Sequence, residues 1–269
     1  MADTYYDEVF SESGWKDLPI FKDLKGKNVF ITGGASGIGA YFTAAFALQG
    51  ANVGFVSLND GPAEKLCDAV EENTGMRPHN IVCNINDIDL LEKSIGHVRD
   101  HFGSIDILIN NAARDTRHTI SDLSVEEWNN SIATNLRPQF FSIKAVVDDM
   151  KKSGGGSIIN LGSISSKLGL EGYPAYVTAK AGIIGMTKSL ARELGPKKIR
   201  VNALIPGWVL TQRQKDLWIT EEALKECLDS QSIKRPLSGW DMAAPALFLA
   251  SSASEMMTGQ ELIVDGGRV

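Results

Sequence analysis

The chain has 269 residues, with 27 Lys+Arg against 33 Asp+Glu and a formal net charge of −6. That acidic balance argues against nucleic acid as a partner, because gripping a phosphate backbone takes a basic footprint. Hydrophobic residues make up 43% of the chain, yet no apolar run approaches the roughly 18–20 residues that a membrane span needs. Cys67, Cys83 and Cys227 lie far apart, which reads as reduced thiols with neither a disulfide framework nor a metal site. The N-terminus, MADTYYDEVFSESGW, is acidic and aromatic, unlike a signal peptide. A cytoplasmic protein with no membrane or nucleic-acid partner is expected.

Residues 1–25 lack periodicity and read as an arm or a loose segment. Its aromatics, Tyr5, Tyr6, Phe10, Trp15 and Phe21, can pack on the body or on a second subunit. From residue 26 to 269 a rhythm runs. NVFIT (28–32) is a short apolar strand, and IGAYFTAAFALQG a helix ending at Gly50. ANVGFVSL (51–58) is a second strand before the helix PAEKLCDAVEENTG. HNIVCNI (79–85) and IDILINNA (105–112) are the third and fourth, separated by the helix DIDLLEKSIGHVRDHFG. A single long helix is expected over 124–154. GSIINLGS (156–163) is the fifth strand, PAYVTAKAGIIGMTKSLARELG the next helix, and IRVNALIPG (199–207) the sixth strand. A loop and helical segment follow, then a helix near 241–251 and a last strand, QELIVDGG. Strands apolar on both faces, alternating with helices, predict an α/β fold: a Rossmann-like, doubly wound parallel sheet in a single domain.

Between the first strand and helix lie Gly33, Gly34, Ser36, Gly37, Ile38 and Gly39. Glycines there allow positive φ and close backbone approach, and the N–H groups of the helix start suit a pyrophosphate. The spacing is GxxxGxG, not the common GxGxxG, but its place in the first strand–helix turn favours phosphate binding over a plain turn. At the end of the second strand, Ser57 stands where an acidic residue often binds an adenosine ribose. Neither Ser36 nor Leu58 offers positive charge to a 2′-phosphate, and Asp60 would repel one. The expectation is NAD, with NADP as the alternative.

Tyr176 and Lys180 are four residues apart at a helix start, hence on one face. A phenol titrates near pH 10, so service as a base near neutrality asks for a shift of roughly 3 units; a neighbouring ammonium favours it. Ser163 ends the fifth strand, at the sheet edge where ligand groups gather.

TGGASGIG, NNAA, Asn135 in ATNLRP, Ser163 in NLGSIS, YVTAK and PGWVLT together resemble the short-chain dehydrogenase/reductase family over about 27–266. The resemblance implies a Tyr176 acid/base, a Lys180 that lowers its pKa and holds the ribose, and a Ser163 that positions the substrate oxygen. It implies that Asn135 holds a water relaying protons from Lys180 to solvent, and that Asn110 fixes the central sheet. Asn84 and Ile85 would sit beside the adenine, and Asn111, Ala112, Pro206, Gly207, Val209 and Thr211 along the rest of the cofactor, the last two at the carboxamide. The likeness extends, in NNAARDTRH, GSISSKLGLEGYPAYVTAK and PGWVLTQRQ, to bacterial sugar 1-dehydrogenases, which oxidise the anomeric hydroxyl of an aldose to a lactone. Candidate sugar contacts are Arg114, Arg117, His118, Ser163, Ser165, Glu171, Tyr173, Trp208, Gln212 and Arg213, with Asp115 and Trp218 beside them. The arginines also make an acidic aldose a reasonable substrate, for example sulfoquinovose. Two other readings share these residues: a dehydrogenase of the same family acting on a polyol, hydroxy acid or ketone, and a catalytically silent dinucleotide sensor or scaffold. The helix AGIIGMTKSLARELG, apolar over a wide arc, and the family habit suggest a homotetramer.

Overall fold

A computed structural model describes residues 7–11 and 13–269. Among these, seven parallel strands form one sheet: β1 (Asn28–Thr32), β2 (Asn52–Ser57), β3 (His79–Val82), β4 (Ile107–Asn110), β5 (Gly156–Leu161), β6 (Ile199–Pro206) and β7 (Glu261–Val264). Their order is β3-β2-β1-β4-β5-β6-β7. Every neighbouring pair is parallel, for example Ile31↔Phe55 and Ile31↔Ile109. The helices are α1 (Asp7–Ser11), α2 (Gly37–Leu48), α3 (Asp60–Thr74), α4 (Ile88–Phe102), α5 (Val125–Asn135), α6 (Arg137–Lys152), α7 (Ser165–Leu168), α8 (Pro174–Leu194), α9 (Gln212–Leu217), α10 (Glu221–Ser230) and α11 (Gly239–Ala250).

Alternation along each strand feeds two cores. Val29 and Ile31 of β1 join Phe42, Phe46 and Trp240 from α2 and α11 on one face. Phe30 joins Leu91, Ile95, Val146 and Leu194 from α4, α6 and α8 on the other. A strand buried on both sides therefore carries apolar residues at every position. The sheet grows outward in both directions from the β1/β4 pair, and such a reversal opens a crevice at the carboxyl ends of the strands. None of the described helices is long and apolar enough to cross a membrane.

Two expectations change. The long helix over 124–154 is two helices, interrupted at Leu136 (φ −127°, ψ −53°). Pro138 lacks the N–H that would carry the ladder back to Thr134, and its ring crowds the preceding turn. The third, fourth and last strands, four residues each, are shorter than the apolar runs that announced them. The N-terminal segment, in its described part, is seated on the body: Val9 is buried and its carbonyl accepts from Trp240 Nε1 at 2.9 Å. Phe10 meets Trp15 edge-on, and Phe21 N–H donates to Gln49 Oε1 at 2.8 Å. Tyr5 and Tyr6 lie outside the described residues.

Candidate active site

The turn after β1 is held by its neighbours before any ligand is considered. Gly33 (φ +69°) and Gly37 (φ +54°) adopt left-handed backbone, which glycine enters without steric cost. Thr32 Oγ1 accepts from Asn111 N (3.0 Å) and Ala112 N (3.1 Å), while Asn111 Nδ2 donates to the carbonyls of Thr32 (3.1 Å) and Gly33 (3.0 Å). This clasp ties the glycine turn to the end of β4. Gly39 has a packing job: a Cβ there would lie 2.0 Å from the Gly33 carbonyl, so its lack of a side chain lets α2 close on the turn.

At the start of α8, Pro174 occupies the first helical position, where its fixed φ and missing N–H are free of cost. The first turn then presents Tyr176, and the second Lys180. Lys180 is buried, and its Nζ donates to the Leu161 carbonyl at 2.7 Å, anchoring it to the end of β5. It also lies 5.5 Å from the Tyr176 ring centre. Ser163 Oγ accepts from Ser165 N (3.2 Å) and Ser165 Oγ (2.8 Å), which orients its own hydroxyl. Ser163 acts on the Tyr176 phenol, lowering its pKa, but burial outweighs it and pushes the phenol well above its ordinary value. Burial also pushes Lys180 down to about 7, against the opposing pull of Asp115. Desolvation disfavours the charged form of each group.

Beneath these, buried polar groups lock the sheet. Asn110 Nδ2 donates to Asn160 Oδ1 (2.9 Å), Asn160 Nδ2 to Thr187 Oγ1 (3.0 Å), and Ser142 Oγ to Asn110 Oδ1 (2.5 Å). Asn110 thus couples β4 to β5, as expected of a residue that fixes the central sheet. Asn135 is buried too, with its amide turned to the loop after β4: Oδ1 accepts from Arg114 N (2.8 Å) and Nδ2 donates to Arg114 O (3.0 Å).

One cleft of about 1190 Å³ runs across the carboxyl ends of the strands. That exceeds the span of ordinary small-molecule pockets and suits a dinucleotide together with a substrate. Gly33, Ser36, Gly37 and Ile38 line one wall, and Ser57, Asn84 and Ile85 the far end. Asn111, Ala112, Pro206, Gly207, Val209 and Thr211 continue it toward Ser163, Tyr176 and Lys180. A Cβ on Gly37 would lie 3.6 Å from Thr211 Cγ2, so the glycine turn and the loop after β6 face each other. Gly207 is obligatory there, since a Cβ would lie 2.7 Å from both Asp265 Cα and Leu237 Cδ1.

Of the sugar-contact candidates, Arg114, Arg117, Ser163, Ser165, Tyr173, Trp208, Gln212 and Arg213 line this cleft. His118 and Glu171 do not: His118 Nε2 accepts from Ala175 N at 3.4 Å, bracing the start of α8, and Glu171 is exposed. Gly39 and the Asn135 side chain also stand outside the cleft lining. Gln214 escaped sequence reasoning, being one polar residue among several in a short helix. Its Nε2 donates to Asp115 Oδ2 (2.9 Å) and its Oε1 accepts from Trp208 Nε1 (2.8 Å). With Arg213 Nε on Asp115 Oδ1 (3.3 Å), it latches α9 to the loop after β4. Asn86 was missed as well: its Oδ1 is a buried acceptor in the cleft wall with no partner in the protein.

The residues fit a nicotinamide dinucleotide. Ser36 caps α2 without using its side chain on the helix, and the first turn holds no acidic residue, leaving N–H donors and positive helix end for a pyrophosphate. At the far end Ser57 Oγ donates to Asn80 Oδ1 (2.8 Å), whose Nδ2 donates to Asp60 Oδ1 (3.0 Å), setting a carboxylate near the ribose corner.

A family model described as "Enoyl-(Acyl carrier protein) reductase" matches residues 33–268. The chain is 45% identical over 247 residues to the Rhizobium meliloti protein named "Probable galactose dehydrogenase GalD", covering 92% of this chain and 96% of that one. It is 43% identical over 248 residues to a D-xylose 1-dehydrogenase of Caulobacter vibrioides, covering 92% and 98%. A short-chain type dehydrogenase/reductase from Mycobacterium marinum superposes with a TM-score of 0.85 at 28% identity, covering 91% of this chain and 96% of that one.

Proposed function

The chain belongs to the short-chain dehydrogenase/reductase family and is an oxidoreductase acting on CH–OH donors, and on that premise we propose that it oxidises the anomeric hydroxyl of a cyclic aldose to a lactone. The observation that carries this reading is the meeting of Tyr176, Ser163 and Lys180 in the cleft that the glycine turn also lines. NAD is the proposed cofactor, since the cleft-lining residues at the β2 end, Ser57, Leu58, Asn59, Asn84 and Ile85, include no cation for a 2′-phosphate. The dinucleotide supplies the hydride acceptor. Tyr176 takes the proton of the C1 hydroxyl while the C1–H electron pair leaves as hydride and the C1–O bond becomes a carbonyl. Ser163, already fixed by Ser165, donates to the oxygen as charge develops on it.

Burial sets the terms on which Tyr176 can act. Neither a lone phenolate nor a lone ammonium is favoured in this pocket, but each lowers the penalty of the other across a few ångströms of low dielectric. Burial thus favours the neutral phenol and the neutral amine, and the phenolate depends on positive charge beside it, from a protonated Lys180 and from an oxidised nicotinamide when bound. Asn135, through its grip on the Arg114 backbone, holds the loop that closes the substrate side; a relay water beside it belongs to the same reading. The exposed Val125, Trp128 and Phe140 of the α5–α6 pair support assembly with further copies as a homotetramer. The test is a panel of neutral and acidic aldoses, polyols, hydroxy acids and ketones with either cofactor, with the product trapped as hydroxamate. Aldose-dependent reduction with lactone formed is expected; turnover confined to polyols or ketones, or none with bound cofactor, contradicts it.

A further inference from the structure

Three arginines reach the substrate side of the cleft, and the structure separates them. Arg213 is paired with Asp115 at 3.3 Å. The other Asp115 oxygen accepts from Gln214 at 2.9 Å, so this carboxylate is engaged at both oxygens. Arg117 and Arg114 are left without an ion-pair partner among the described residues. Arg114 has its backbone pinned on both sides by Asn135, while its side chain lines the cleft.

Arg117 is more constrained. Its guanidinium carbon lies 3.9 Å from the Tyr173 ring centre and 5.0 Å from that of Trp218. Two aromatic contacts fix the position of the cation and weaken its competition for water, without neutralising it. Gly172 lies beside it, where a Cβ would lie 3.9 Å from Nη1, so no side chain crowds that donor. Trp218, outside the cleft lining, backs the cation from behind. Tyr173 in turn packs 5.4 Å from Tyr176, ring centre to ring centre, so this donor-rich corner lies one aromatic ring from the proposed reacting hydroxyl.

We propose that the cleft selects an aldose bearing an anionic exocyclic group, with Arg117 as its main ligand and Arg114 as a supporting charge. The proposal rests on the aldose reading above. A neutral hydroxymethyl group would leave a held cation without its complement, whereas a carboxylate, sulfonate or phosphate offers it charge-assisted acceptors. The nearby charges do not cancel this preference: Asp115 is consumed by Arg213 and Gln214, and Asp216 receives Gln212 Nε2 at 2.6 Å.

The test compares kcat/KM for matched neutral aldoses, uronic acids, 6-phosphates and 6-sulfonates, in wild type, Arg117→Gln and Arg117→Lys. The wild type should favour at least one anionic sugar over its neutral parent by about 10-fold or more, and added salt should shrink that ratio. Arg117→Gln should cut the anionic-to-neutral ratio by about 10- to 100-fold, as expected for losing a charge-assisted hydrogen bond, and Arg117→Lys should restore part of it. The three anions say which headgroup geometry fits. Good turnover of neutral aldoses with no gain from charge, or a ratio unmoved by Arg117→Gln, overturns this proposal and leaves the aldose reading standing. No turnover of any aldose overturns both.

Discussion

The two ends of the cleft are built from different materials. The cofactor end is made of backbone: Gly33 and Gly37 in left-handed conformations, helix N–H groups, and the clasp between Thr32 and Asn111. The substrate end is made of side chains on loops and the short helix α9: Arg117 between two rings, and the latch of Asp115, Arg213 and Gln214. Backbone sites tolerate few substitutions but specify only a generic group such as a pyrophosphate. Side-chain sites can be rebuilt residue by residue, which is how one scaffold serves many alcohols.

The sharpest way to break that contrast lies where the two ends meet. Tyr176→Phe should lower kcat by about 10²- to 10⁴-fold, the usual contribution of a positioned acid/base, while cofactor affinity measured by fluorescence titration stays within a few-fold. Comparable loss of cofactor binding would show that the phenol serves the cofactor end instead. At the cofactor end, Gly39→Ala drives a Cβ into the Gly33 carbonyl at 2.0 Å. It should abolish measurable cofactor binding and lower Tm, because backbone cannot yield as a flexible side chain can. Gly37→Ala, whose Cβ would make only ordinary contact with Thr211 at 3.6 Å, should cost only about 1–2 kcal/mol from its positive φ.

Lys180→Met should separate stability from activity. Native Lys180 loses its proton near pH 7, whereas an unfolded lysine does so at its ordinary 10.5. Between those values the unfolded chain binds a proton that the native chain does not. Native stability from this group is therefore present above 10.5, falls as pH drops toward 7, and is level below it. The methionine variant should be inactive but more stable by thermal unfolding. Its gain should be greatest at and below pH 7 and fade toward pH 10.5; a destabilised variant at pH 7 would contradict the buried-ammonium account. The smallest effect belongs to the substrate end. Asp115→Asn frees Arg213 and weakens the hold on α9, so KM for sugar should rise by about 10-fold with cofactor affinity little changed.

How much could be read from the chain follows the same division. The strand–helix rhythm, the parallel sheet and the glycine turn were legible because each is a local pattern with one physical meaning. Ser163, Tyr176 and Lys180 were singled out by family resemblance, and they line one cleft. The break at Leu136 was signalled only by Pro138, which helices also accept in their first turn. The roles of Gly39 and His118 were not legible: a glycine facing a ligand and a glycine under a helix look alike, as do a loop histidine in a cleft and one bracing a helix start. Gln214 and Asn86 gave no signal: the Gln214 contact with Asp115 spans distant loops, and only the fold leaves Asn86 Oδ1 buried without a donor. Which arginine is free and which is paired depends on Asp115, a contact that only the folded loops create.

The central claim is that the hydrogen leaving as hydride comes from the anomeric carbon of an aldose. An aldose deuterated at C1, turned over with oxidised cofactor, tests it directly. The account predicts a primary isotope effect on the chemical step and deuterium recovered in the nicotinamide ring of the reduced cofactor, with lactone as the other product. Deuterium retained at C1 while the cofactor is reduced would place the chemistry at another carbon and contradict the account.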